Sequence, residues 1–378
     1  MNNIKIRMFD KYILYVWFYF MLFLGCREHS PQDQSLHTKN EMQKDNQIDS
    51  CMIKLGHFLF FENNLSLNGS KSCASCHHPN FAFTDSYRRS FGMLTERTLR
   101  NSPGLINIAE NKYFSYSDTA ITSLESQILH PLFSTTPVEI GAIRTDLTIP
   151  KKILSDTTYQ RFISECTLKW DENNFWDMVI NSISSYVKTL NSYHSKYDQF
   201  LAQKNDSLLS NDELEGMRIF YSDKTNCGKC HSGINFTINS DASSSWQDVF
   251  RNNGLYPPLA VTQKAQLDEG MTLHTRNDKD RMRFKIPSLR NLLFTAPYYH
   301  DGSAESLLEV IDNYAAGGNR EYVNNHYKSI EKDPLINGFE LSEEDKRKLI
   351  SFLYTLTDSS ILENKKFQSP HAENNQKY

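Results

Sequence analysis

"SCASCHHPNFAFTD" (residues 72–85) sets two cysteines two residues apart and follows them at once with His77 and His78. The chain repeats the arrangement as "NCGKCHSGINFT" (residues 226–237), with Cys227, Cys230 and His231. A structural zinc site takes two closely spaced ligand pairs separated by about 12 to 20 residues. Here the pairs lie in opposite halves of the chain, and each carries its own histidine. A thioredoxin-type dithiol expects a βαβ setting and has no need of that histidine. Cys-x-x-Cys-His is instead the attachment sequence of c-type haem. Its thiols add to the porphyrin vinyl groups, and the adjacent histidine becomes the proximal iron ligand. With 7 Cys and 12 His in 378 residues, chance yields on the order of 0.004 copies. Two copies therefore read as two covalently bound haem c groups, on Cys73, Cys76 and His77 and on Cys227, Cys230 and His231.

The remaining composition is that of an ordinary globular chain, 39% hydrophobic and 23% charged with a net charge of −4. Its length allows two domains, and its charge offers no basic footprint for nucleic acid. Of seven cysteines, only Cys26, Cys51 and Cys166 lie outside the two motifs, which excludes a dense disulfide scaffold. Cys51 and Cys166 are either paired or free, because sequence carries no distance. Lys5, Arg7 and Lys11 precede the apolar run "YILYVWFYFMLFLG" (residues 12–25) and then Cys26. That is a charged n-region and short h-region, a secretory signal of lipoprotein type with Cys26 as the lipidated residue. It predicts a chain anchored by lipid to a membrane, on the periplasmic face of the cell envelope.

Residues 26–50 read as a flexible, polar tether. The next stretch, "IKLGHFLFFENNLS", has helical apolar spacing and delivers the first motif. Residues 120–133 look helical until Pro131, and 174–203 look helical throughout. In "LSNDELEGMRIFYS" (residues 209–222), Ser210 or Asn211 caps a helix that delivers the second motif. Residues 239–284 are loop-rich, 303–316 and 341–358 amphipathic, and 363–378 a disordered, solvated tail. The fold class expected is mainly α, with two cytochrome-c-like haem domains (51–205 and 206–362), loop-rich and with little strand.

Around the motifs stand "LGHFLFFENNLSLNGSKSCASCHHPNFAFTD", "LRNSPGLIN", "SLESQILHPL", "PVEIG", "CGKCHSGINFT" and "FKIPSLRNLLFTAPYYHDGSAESLLEVIDNY". Together these stretches resemble the bacterial dihaem cytochrome c peroxidases, the family that includes MauG. The resemblance implies a peroxidatic N-terminal haem, a C-terminal electron-transfer haem and a calcium ion between them. It implies Glu139 as the distal acid–base residue that moves a proton between the peroxide oxygens, with Gln127 lining the same pocket. It implies Tyr314 as the sixth ligand of the second iron, with Met271 and His274 as fallback ligands and His300 as a buried neighbour. Calcium would be held by Asn101 with the carbonyls of Thr295 and Pro297, a hard-oxygen set.

Two positions depart from the family. The distal histidine that blocks the first iron in typical peroxidases falls here on Met93, which either packs or ligates through sulfur. The inter-haem tryptophan falls on Tyr116 or on Ser117, depending on the direction of counting. The leading expectation is a peroxidase reducing hydrogen peroxide with electrons from a small redox protein of cytochrome c or cupredoxin type. One alternative is a MauG-like oxidase acting on side chains of a partner protein; the other is a non-enzymatic dihaem electron carrier. His78 is expected at the surface.

Overall fold

The computed structural model describes residues 50–255, 268–318 and 332–371; the signal segment, Cys26 and the tether up to residue 49 lie outside them. In the first half the helices are α1 (50–60), α2 (Leu124–Phe133), α3 (Thr148–Ser155), α4 (Thr157–Glu165) and α5 (Phe175–Val187). The second half carries α6 (Lys196–Gln203), α7 (Asn211–Tyr221), α8 (Leu307–Ala315) and α9 (Glu343–Tyr354). Strand β1 (Phe250–Arg251) pairs antiparallel with β2 (Phe284–Lys285), Phe250 opposite Lys285. The fold is mainly α, as the periodicity predicts.

Helices α1 and α7 enter their motifs by the same local logic. In α1, Leu55 and Leu59 stand four apart and are fully buried. Gly56 between them lets α1 sink onto α5, where an added Cβ would sit 1.8 Å from the Ser182 carbonyl oxygen. In α7, Ser210 and Glu213 close a capping box, each side chain accepting from the other's backbone N–H, so two orphan donors are satisfied. Gly216 sinks α7 onto α9, where a Cβ would lie 2.0 Å from the Lys348 carbonyl oxygen. Four residues after each glycine comes a phenylalanine, Phe60 or Phe220, only 1% exposed.

These phenylalanines anchor two cores. The first gathers Leu55, Phe60, Phe83 and the inner faces of α2 and α5; the second gathers Phe220, Phe236, Phe352 and Leu356. The changeover falls between Leu190 and Tyr197, earlier than residue 205. Helix α6 belongs to the second core because Tyr197 lies 5.2 Å edge-on from Phe236 and Asp198 accepts two hydrogen bonds from Arg290. The 174–203 segment is accordingly two helices, broken at 188–195.

Two other expectations are corrected. Helix α2 does not stop at Pro131 but runs to Phe133, because a proline near a helix end removes one N–H without displacing the apolar face. In the tail, residues 363–371 are packed rather than solvated, and residues 372–378 lie outside the described residues. Phe367 is buried in the first core, and the Gln368 carbonyl lies 2.7 Å from His57 Nε2. Its polar composition hid one phenylalanine with a place to go. Cys51 at the start of α1 is disulfide-bonded to Cys166 at the end of α4.

The disulfide closes a loop of 115 residues, for which chain entropy gives about 4–5 kcal/mol. Reduction should lower the denaturant midpoint accordingly, without changing the haem count. Phe367→Ala should cost about 3–5 kcal/mol, read in the same denaturation experiment. A loss under about 1 kcal/mol would show that the C-terminal segment rests on the core without contributing to it.

Candidate functional site

Each motif histidine is held at Nδ1 by backbone. His77 Nδ1 lies 2.9 Å from the Phe83 carbonyl oxygen, and His231 Nδ1 lies 3.2 Å from those of Phe236 and Pro287. Spending the Nδ1 proton this way leaves Nε2 as a lone pair. Burial is the main force holding both imidazoles below their ordinary range, His231 at about 4. Both are thus neutral at physiological pH, as a metal ligand must be. Ser102 Oγ donates to the Cys76 carbonyl at 2.6 Å and bolts the first loop down.

Two of the three accepting carbonyls belong to residues in the left-handed region, Phe83 at φ 62° and Phe236 at φ 51°. For a bulky residue that costs about 1–2 kcal/mol. The rings, 0% and 1% exposed, hold the backbone there by packing against Phe60 at 5.8 Å and Phe220 at 6.0 Å. These carbonyls, Ser102 and Pro287 were missed by sequence reasoning. The available signal was an aromatic five or six residues past each motif histidine.

The motif cysteines are free of disulfides. Burial pushes Cys73 up to about 12 and Cys76 and Cys230 to about 11, and it raises Cys227 as well. Among the described residues no cluster of three or more His, Cys, Asp or Glu is arranged to hold a metal.

Cys227, Cys230, His231, Ile311, Tyr314 and Leu353 line an apolar cavity of about 310 Å³. An apolar slot with two thiols and a neutral imidazole suits a covalently attached porphyrin. Tyr314 stands close enough to both cysteines to feel their charge, and burial pushes its hydroxyl up to about 12. Asn101, Thr295, Pro297, His300 and Tyr116 line the same cavity. Met271 does not join them; it is fully buried in a separate cluster with Tyr113, Val249 and Phe250. His274 faces Asp118 at 3.4 Å instead. His300 stacks on Phe284 at 3.5 Å. Ser117 is 0% exposed and lies outside the cavity lining, so Tyr116 is the residue of that pair that reaches the cavity.

On the other side, the loop carrying Glu139 is pinned at both flanks. The Met93 N–H donates to the Val138 carbonyl at 2.9 Å, and the Ile140 N–H donates to the Pro131 carbonyl at 3.1 Å. Glu139 is close enough to Cys73 and Cys76 to add to the rise of both thiols. Its own carboxyl is raised by burial. Gln127 Oε1 is buried without a hydrogen-bond partner. Met93 packs into the turn at Gly141, where a Cβ would lie 2.9 Å from the Met93 methyl carbon and 3.2 Å from Sδ. His78 is exposed, its Nδ1 accepting from the Asn80 N–H.

Residues 50–206 match the family described as Di-haem cytochrome c peroxidase. Methylamine utilization protein MauG of Methylorubrum extorquens is 31% identical over 315 residues, covering 83% of this chain and 80% of that protein. Cytochrome c551 peroxidase of Nitrosomonas europaea is 28% identical over 306 residues, covering 81% and 80%. Among solved structures, a MauG-like protein associated with microbial copper homeostasis superposes with TM-score 0.76 at 30% identity, covering 85% of this chain and 93% of that one.

Replacing Cys73 and Cys76 by alanine, or Cys227 and Cys230, should remove one covalent haem from the intact-mass spectrum and leave the other. Loss of both haems from either variant would contradict two independent attachment sites.

Proposed function

The chain belongs to the di-haem cytochrome c peroxidase family, and from that premise we propose that it reduces hydrogen peroxide at the His77 site with electrons passed through the His231 site. The bound haems supply the electrons and the iron at which peroxide is cleaved. The observation that carries the reading is Glu139, a desolvated carboxyl on a loop whose flanking residues are held by the Met93 and Pro131 backbones, close enough to Cys73 and Cys76 to raise both thiols. Its carboxylate takes the proton from one peroxide oxygen and returns it to the other, so that water leaves. The unpartnered Gln127 Oε1 supports a role in accepting a hydrogen bond from peroxide.

The packing of Met93 against Gly141 supports an open position at the first iron, ready without prior reduction. The place of Tyr314 beside Cys227 and Cys230 supports it as a residue that would hold the second iron, since a bound cation would reverse the preference of a buried phenol for its neutral form. Calcium is supported by Asn101, Thr295 and Pro297 sharing one cavity. The Asn101 amide nitrogen donates to the Tyr87 carbonyl, which leaves its oxygen for the cation. Placement in the cell envelope, with lipid on Cys26 and a small redox protein as donor, rests on the sequence. No helix among the described residues is long and apolar enough to cross a membrane. Oxidation of a partner protein's side chain is a second reading, favoured by the positions of Tyr314 and Tyr116 on one cavity.

Glu139→Gln should lower kcat/KM for peroxide by about 10²–10⁴ with both haems retained. In the wild type the base works only when deprotonated. Its raised pKa therefore puts the acid limb of kcat/KM above the ordinary carboxylate range, with activity falling as pH drops through it. Full activity in Glu139→Gln would sink this assignment. An electron paramagnetic resonance spectrum of the fully ferric protein should show one high-spin and one low-spin haem. Two low-spin haems would mean that the first iron is closed, and would favour a gated peroxidase or an electron carrier.

A further inference from the structure

Three cations line the cavity that carries Cys227, Cys230 and His231: Arg251, Lys285 and Arg290. Two of them are already neutralised. Arg251 Nη1 donates to Asp333 at 2.9 Å, and Arg290 donates to both Asp198 oxygens at 2.9 and 2.8 Å. Neighbouring Arg100 is likewise committed to Asp268, through two hydrogen bonds of 2.5 and 2.9 Å. Lys285 differs: it lines the cavity, and among the described residues its ammonium has no ion pair and no hydrogen-bond acceptor.

The backbone of Lys285 is fixed beside the cavity. Its N–H donates to the Tyr116 carbonyl at 2.8 Å, and it sits opposite Phe250 in the two-stranded sheet. Two residues further on, the Pro287 carbonyl lies 3.2 Å from His231 Nδ1. The segment that carries Lys285 thus also helps to orient His231. A desolvated, unpaired ammonium is unfavourable in a protein interior. A haem brings two propionate carboxylates into such a cavity, and the other lining cations are spent.

We propose that Lys285 Nζ is the counter-ion of a propionate carboxylate on the haem attached at Cys227 and Cys230. The assignment rests on that attachment. Burial alone draws the ammonium down to about 8; a carboxylate partner favours its charged form. A fixed cation beside the ring stabilises the iron when it gains an electron, so Lys285 also raises the potential of the second haem.

The test uses haem-loaded protein carrying Lys285→Met, Lys285→Gln and Lys285→Arg, read by resonance Raman and by potentiometry. The propionate-bending band of one haem should move in the Met and Gln variants and return toward its wild-type position with Arg. At fixed potential, the second haem in Lys285→Met should shift about tenfold toward ferric, ~59 mV for one electron. An unmoved band in Lys285→Met or Lys285→Gln, with two haems present, would overturn the assignment whatever the potential does. Haem stoichiometry on the wild type separates the two claims: fewer than two haems would defeat the attachment reading and this one with it.

Discussion

A neutral imidazole has one N–H to donate, and in both halves of this protein it faces the carbonyl of a phenylalanine held at positive φ, shared in the second half with the Pro287 carbonyl. Much else in the fold follows from keeping that carbonyl in place. A phenylalanine stays in the left-handed region only if its ring is locked. Phe83 and Phe236 are locked by Phe60 and Phe220. Those rings reach them because Gly56 and Gly216 let α1 and α7 sink onto α5 and α9. The chain even returns from its far end for the purpose: the Phe367 ring stands 5.9 Å from Phe83.

The repeated proximal device serves two unlike surroundings. The first site faces a loop clamped between the Met93 N–H and the Pro131 carbonyl, which fixes Glu139 in a desolvated position. The second opens on an apolar cavity with Tyr314 at its wall and Lys285 on its strand. Arg100 pairs with buried Asp268; burial alone would raise that carboxyl, but the guanidinium holds it below the ordinary range. Together with the Lys285–Tyr116 backbone bond and the Asn101–His300 backbone bond, this pair ties residues near position 100 to residues near 270–300.

Much of this was legible in the residues. The covalent chemistry of haem attachment is local, needing only two thiols and an imidazole in one turn, so Cys73–His77 and Cys227–His231 read directly from spacing. The α7 cap was equally local, and Ser210 caps as its Ser-x-x-Glu pattern requires. Glu139, Gln127, Asn101 and Tyr314 were singled out only through resemblance, because a lone acid, amide or tyrosine carries no chemistry of its own in a sequence. The tail was misjudged for the same reason: composition averages over residues, while burial depends on a single ring finding its slot.

What the sequence by itself determined was the set of reactions its short motifs permit: two covalent haems and two helices poised to deliver them. Only the tertiary structure decided the pairing of Cys51 with Cys166, the choice of Tyr116 over Ser117 at the cavity wall, the removal of Met271 and His274 from the second site, and the isolation of Lys285 among cations already matched. The reason is physical. Bond-forming patterns within a turn are set by covalent geometry, whereas partnership across the chain is set by which groups exclude water together, and that depends on every contact at once.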